Sequence, residues 1–417
     1  MRILHTADLH LGQILYQNYS RGDEHDHFFA QLEEWCGQYS PDVLLVSGDI
    51  FDIQQPGAAV KRRFNEYFVR LHETYPEMGI VITAGNHDSA SRIHADNAVW
   101  KLGDIRLVGL PPSGSGAAGW QEEYVVRLRS GYVVAVPFTP TPKKEAVQAL
   151  LDYVAAENTG DLPVVLMGHL AVTGMDATGH GFDVGHLQTV APDELGDGYD
   201  YLALGHIHRP QTLGHADEYE ECSTYPSGVI RYSGSPLHVS CDEKYPHSVS
   251  LVDIDHHSGT VTVQRLRVRE LRHFYELPAE GSYASAEEAL EGIRAFILQH
   301  QSGYIRLKMD YAAALPSDFT QQVYALMEPY GEEFRYNPKI LWEGQTSATE
   351  AEHQPVFEVA DLQQMTDPFL FVEQTRENYP ELDIDDLRKA FDEVGEELRR
   401  MQEEQQGKNK DKTQAQP

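Results

Sequence analysis

Cysteine, positive charge and long apolar runs are all scarce in this 417-residue chain. Its three cysteines, Cys36, Cys222 and Cys241, are scattered and never form Cys-x-x-Cys. That excludes a disulfide framework and a thiolate zinc site. Lys and Arg number 33 against 65 Asp and Glu, a formal net charge of −32. Such a balance is repelled by a phosphate backbone on average, which argues against autonomous, tight DNA binding through basic side chains. It leaves room for a site where metal ions supply the positive charge. No apolar run approaches the ~18 residues of a membrane span. The opening Met-Arg-Ile-Leu-His-Thr-Ala-Asp has no apolar signal core, so a cytoplasmic protein is expected. A Gly-x-x-x-x-Gly-Lys-[Ser/Thr] run is also missing, so any dependence on ATP must come from another subunit.

What is present is a repeated alternation of short apolar strands with helix-like stretches. Strands are expected at Arg2-Ile3-Leu4, Val43 to Val46, Ile80-Val81-Ile82, Val133 to Val136, Val164 to Met167 and Tyr201 to Leu204, with helices at Phe28 to Trp35 and Val60 to Leu71. This order implies an α/β sheet, whose sites lie at the carboxyl ends of strands. Val249 to Leu271 closes the region as β structure. Arg265, Arg267 and Arg269 alternate there, the pattern of a solvated edge strand. The first domain is placed at residues 1–271. A β-α-β-α-β order at 272–343 predicts a small α+β capping domain, its first helix opened by Ser285-x-x-Glu288. Residues 344–365 read as a polar linker. In 366–404, Ile384, Leu387, Phe391, Val394 and Leu398 alternate three and four apart, a seam suited to a partner helix. Residues 405–417 read as a disordered tail.

The polar motifs fall where strands end. Asp8-Leu9-His10 sets a carboxylate and an imidazole on one side of an extended segment. Gly48-Asp49-Ile50-Phe51-Asp52 turns sharply at its glycine and projects Asp49, leaving Asp52 as an outer acceptor or a helix cap. Gly85-Asn86-His87-Asp88 offers a neutral oxygen ligand, then an imidazole able to bind metal or move a proton, then a carboxylate able to orient it. Gly168-His169 and Gly205-His206-Ile207-His208 complete the set. Each motif alone is commonplace. Together Asp8, His10, Asp49, Asn86, His169, His206 and His208 form a nitrogen and oxygen set without thiolate, suited to Mn²⁺, Fe or Zn²⁺. Seven ligands exceed one four-coordinate site and fit two ions sharing Asp49.

The order Asp-x-His, Gly-Asp-x-x-Asp, Gly-Asn-His-Asp, Gly-His, Gly-His-x-His resembles the calcineurin-like metallophosphoesterase superfamily. Leu11-Gly12-Gln13 with Arg21, Glu24 and His25, then Ala203 to Arg209, then Tyr232-Ser233-Gly234-Ser235-Pro236, are similar to its SbcD-type nuclease branch. The resemblance covers most of residues 1–255. It implies a β-sandwich flanked by helices, with a small α+β cap and C-terminal helices. One metal would be held by Asp8, His10, Asp49 and His208, the other by Asp49, Asn86, His169 and His206. His87 would be the general acid, and manganese the usual metal. The implied activity is exonuclease and endonuclease cleavage of DNA in recombination, replication and repair. The implied partner is SbcC, an SMC-like coiled-coil ATPase, in a heterotetramer holding two copies of this chain. Two alternatives stand beside it: a general metallophosphatase or cyclic-nucleotide phosphodiesterase, and a non-catalytic binding module that keeps the fold. Loss of ligands would mark the module, and none of the seven is substituted.

Overall fold

Alternation along the strands sets up the layers. In the strand Val43–Ser47, Val43 and Leu45 join one core cluster while Leu44 and Val46 join another. Ile3 and Leu4 divide in the same way on Arg2–Thr6. Side chains on a strand point alternately to its two faces, so each strand is buried on both. One face packs against a second sheet. The other is covered by the helices Gly22–Tyr39 and Ala58–Thr74 through Phe28, Leu32, Phe64 and Phe68.

The computed structural model describes residues 1–112, 119–140, 143–178, 189–215 and 220–344. The expected linker beyond 344, the 366–404 seam with its Ile384, Leu387, Phe391, Val394 and Leu398, and the tail lie outside the described residues. Met1–Met309 and Ala313–Leu341 form one compact unit, to which the site belongs.

The first sheet has seven strands in the order 222–226, 260–267, 248–255, 2–6, 43–47, 79–83, 105–108. The second has six, in the order 211–212, 229–232, 201–205, 164–169, 131–135, 125–128. The four neighbours from 2–6 to 105–108 run parallel, as do the four from 229–232 to 131–135. The helix Lys144–Glu157 contributes Val147, Leu150, Leu151 and Val154 to the core that holds the second sheet. The α/β sandwich expected from the strand pattern is therefore present; most expected elements run longer than expected, while the strand expected at Val133 to Val136 runs Gly131–Ala135.

Contrary to the expected solvated edge, the strand Thr260–Arg267 lies inside its sheet, because Cys222–Pro226 pairs along its outer side. Two of its three alternating arginines are engaged: Arg265 donates to the Pro210 carbonyl at 2.9 Å, and Arg269, past the strand end, pairs with Glu34 at 2.7 Å, while Arg267 is exposed.

The cap is the three-stranded sheet Phe274–Leu277, Gly303–Asp310, Phe334–Glu343 with the helices Ala286–Gln299 and Phe319–Met327. Ile305, Leu307 and Met309 point together into its own core. Ser285 caps the first helix by accepting from Glu288 N, while the Glu288 side chain reaches back to Ala284 N. A buried carboxylate ties cap to sandwich. Glu24 accepts from Arg335 Nη1 at 3.0 Å and from the Tyr304 hydroxyl at 2.6 Å, and Arg21 holds its other oxygen. Removing one partner from such a network leaves an uncompensated buried charge.

Candidate metal centre

The two sheets end side by side, and their polar loops meet there. Asp8 and His10 follow Arg2–Thr6, Asp49 follows Val43–Ser47, and Asn86 and His87 follow Gly79–Thr83. From the other sheet come His169, the last residue of its strand, and His206 and His208 just past Tyr201–Gly205. The backbone is bent to deliver them. Asp8, His10 and Asp49 adopt φ of 53°, 45° and 48°, and His206 adopts 91°. Left-handed φ is uncommon for residues with a Cβ and concentrates at functional sites. Close approach explains two of the glycines. A Cβ on Gly48 would sit 2.1 Å from the His169 ring, and one on Gly205 would sit 1.9 Å from the Ser47 carbonyl.

All seven expected ligands converge. Ligand atoms of Asp8, His10 and His208 lie within 4.8 Å of one another, as do those of Asp8, Asp49 and His169, and those of His10, Asp49 and His87. Asp49 Oδ2 is 3.8 Å from His10 Nε2 and 3.5 Å from His169 Nε2. Asn86 Oδ1 stands 2.9 Å from His169 Nε2 and 3.0 Å from His206 Nδ1. His169 Nδ1 donates to the Ser47 carbonyl at 2.8 Å. In the neutral ring this leaves a lone pair on Nε2 facing the Asn86 oxygen, a contact between acceptors that a shared cation would relieve. His10 is buried with neither ring nitrogen in a regular hydrogen bond. A buried imidazole set between the Asp52 and Asp49 carboxylates, at 3.4 and 3.8 Å, is an arrangement that suits a metal ligand. The donor set thus fits two divalent cations.

Electrostatics agree. Burial opposes ionisation of Asp49, yet His169, His10 and His87 hold its carboxyl far below the usual range. Burial pushes Asp8 up, against the pull of His169. Burial alone would lower His169, but Asp49 and Asp8 raise it to about 9. Burial and the neighbouring His10 drive His208 well down, toward the neutral form that binds metal.

His87 is exposed at the rim. Its N–H donates to Asp49 Oδ1 at 2.8 Å and its Nδ1 to the Asp52 carbonyl at 2.9 Å. The orienting role read for Asp88 therefore passes to the Asp52 main chain. Asp88 instead accepts from the N–H groups of Gly85, Ile50 and Phe51 at 2.8, 3.0 and 2.9 Å, clamping two site loops together. The Asp52 carboxylate lies 3.4 Å from His10 Nδ1, behind that ring.

A family model described as calcineurin-like phosphoesterase matches residues 1–210. The chain belongs to the calcineurin-like phosphoesterase family. The SbcD subunit of the nuclease SbcCD from Rhodobacter capsulatus is 32% identical over 310 residues, covering 68% of this chain and 73% of that protein. Its counterpart from Escherichia coli K12 is 30% identical over 283 residues, 60% of this chain and 65% of that one. DNA double-strand break repair protein Mre11 of Aeropyrum pernix is 30% identical over 260 residues, 59% of each chain. The chain thus spans less than two thirds of the latter two relatives' length.

Sequence reasoning missed one residue of this phosphoesterase centre. Glu243, buried, accepts from His208 Nδ1 at 2.7 Å and from Val239 N at 2.9 Å. It fixes the tautomer with the proton on Nδ1, in which Nε2 carries the lone pair that a cation would take. Burial pushes its carboxyl up to about 7. Nothing near 243 in the sequence marks it, since it follows no apolar strand. A search for a carboxylate to pair with His208 would have had many candidates among 65 acids.

Proposed function

We propose that this chain is a metal-dependent DNA nuclease subunit, with exonuclease and endonuclease action, working with an SMC-like ATPase of the SbcC kind. The observation that carries this is the convergence of seven nitrogen and oxygen donors from five strand ends in one pocket. The names of the relatives supply the substrate and the partner. The donor set suits Mn²⁺, Fe or Zn²⁺, and we read the ions as Mn²⁺ from the resemblance to the SbcD-type branch, the location as cytoplasmic, and the assembly as two copies of this chain with two of the ATPase. The partner docks on the seam at Ile384, Leu387, Phe391, Val394 and Leu398.

Bound here, two divalent cations would make water nucleophilic at neutral pH and neutralise the phosphodiester. The chain's own groups do the rest. His87, with Nδ1 committed to the Asp52 carbonyl, presents Nε2 to deliver a proton to the leaving oxygen. Asp88 keeps the loops of Asp49 and Asn86 in register. Lys61, Arg62 and Arg63 pair with Asp96, Glu66 and Asp26, so they add little free positive charge, and the grip on the duplex falls to the partner.

The test is cleavage of end-labelled linear and hairpin DNA by the chain with its ATPase, ATP and manganese. Cutting that disappears in EDTA is expected. Hydrolysis of bis(p-nitrophenyl) phosphate without any cutting of DNA would favour the small-ester phosphatase reading instead.

A further inference from the structure

The loop after the strand Gly131–Ala135 brings an aromatic ring to the metal centre, and no step above uses it. Phe138 N donates to the Ala84 carbonyl at 2.8 Å, which pins this loop against the one that carries Asn86. On either side of it, Pro137 and Thr139 line a separate apolar crevice with Leu166 and Leu202. Phe138, half-buried, turns toward the donors instead. Its ring centroid is 6.0 Å from that of His169, edge-on at 82°, and 6.3 Å from that of His206.

Those two imidazoles belong with Asn86 to one half of the donor set. His87 stands by the other half, its ring 4.9 Å from that of His10. A phosphodiester held across the donors has two ester arms. The arm that leaves takes its proton from His87, so it lies on the His10 side. The arm that keeps the phosphate falls to the side of His169 and His206. There Phe138 offers a face with no charge and no hydrogen-bonding atom. A phosphate oxygen gains nothing from such a face, whereas carbon does. The ring is close to the imidazoles that would hold the phosphate, so the carbon within its reach is the first beyond the ester oxygen. In a nucleic acid that carbon belongs to the sugar.

We propose that Phe138 is a specificity-determining residue, its ring packing against the sugar of the nucleotide that keeps the phosphate. The inference rests on the nuclease reading above, and it names what this centre prefers on the retained side of the bond: a nucleoside over a smaller ester. Contact with a part of the substrate that does not react is binding energy a general phosphoesterase lacks.

The test uses three esters with one leaving group, p-nitrophenol, and the full chain in manganese. They are methyl p-nitrophenyl phosphate and thymidine carrying p-nitrophenyl phosphate on its 3′ or its 5′ oxygen. In wild type, kcat/KM for the better thymidine ester is expected to exceed that for the methyl ester by about tenfold or more, the size of one apolar contact. Titration calorimetry of the retained products, thymidine monophosphate against methyl phosphate, is expected to show the same preference. Phe138→Ala should bring both ratios toward one, and Phe138→Tyr, which keeps the ring, should hold them. Phe138→Gln, polar at the same place, should act as Phe138→Ala does and covers the case where that variant fails to fold. A ring that only shields the imidazoles would move all three esters together and leave the ratio alone. That result, or a wild-type ratio near one, overturns the proposal, while cutting of end-labelled DNA by the same preparation keeps the nuclease reading. Wild type that hydrolyses the methyl ester but neither thymidine ester nor DNA overturns the nuclease reading, and the proposal with it.

Discussion

His87 and Glu243 stand on either side of the same donors with opposite duties. His87 meets the cluster through its backbone N–H on Asp49 and the edge-on contact of its ring with His10, and that ring is exposed at the rim. His87→Ala should therefore retain manganese while turnover falls by roughly 10²–10⁴-fold. Titration calorimetry beside a nuclease assay separates the two quantities. Glu243 acts from behind His208. Glu243→Gln should weaken manganese binding by roughly 10–100-fold, as loss of an outer partner does at metal-bound histidines, and the same calorimetry reads it. These residues differ in how visible they are in the sequence. Asp8, Asp49, Asn86 and His169 follow apolar runs and glycines, so periodicity points at them. Glu243 sits in a loop 35 residues past its partner, where no local pattern records the contact. The left-handed φ of Asp8 and His10 is equally hidden, since neither residue is the glycine that would announce it.

At the scale of single elements, the first strand also staples the sheets together. His5 Nδ1 lies 2.8 Å from the Tyr201 hydroxyl and its Nε2 3.2 Å from Ser47 Oγ, joining strands of both sheets. Burial, then the nearby Arg231, lowers its pKa to about 3. Burial and Arg21 lower His25, which faces the Leu9 carbonyl, to about 4. Both rings are neutral in the fold, so between their folded values and the ordinary 6.5 the unfolded chain binds more protons. Stability therefore rises with pH across that window and is lost as pH drops through it. At pH 4 the His5 contribution alone comes to on the order of 3 kcal/mol. Urea midpoints of the metal-free protein should fall steeply from pH 7 to pH 4, and His5→Gln should flatten that slope. The strands and helices themselves were legible because their apolar residues repeat at two or at three to four. The place of Thr260–Arg267 inside the sheet was not, because the strand that covers it, Cys222–Pro226, carries only one buried residue among five.

For the whole molecule, a net charge of −32 sets the chain against a phosphate backbone on average, and the proposed partner would supply the grip. Deleting residues 366–404 should abolish co-purification with the ATPase and leave ester hydrolysis by the chain alone unchanged; pull-down from co-expression measures the first. The sandwich was legible from strand order. The closeness of the cap was not, because it rests on contacts between residues far apart in the chain, such as Glu24 gathering Arg335 and Tyr304 across some 280 to 310 positions of sequence.

The donors run from position 8 to position 208 and come from both sheets. A nascent polypeptide leaving the ribosome therefore cannot hold its full complement of ions until its second sheet has emerged and closed on the first. The blade stays blunt until then, and any product broken off short of that point cannot cut.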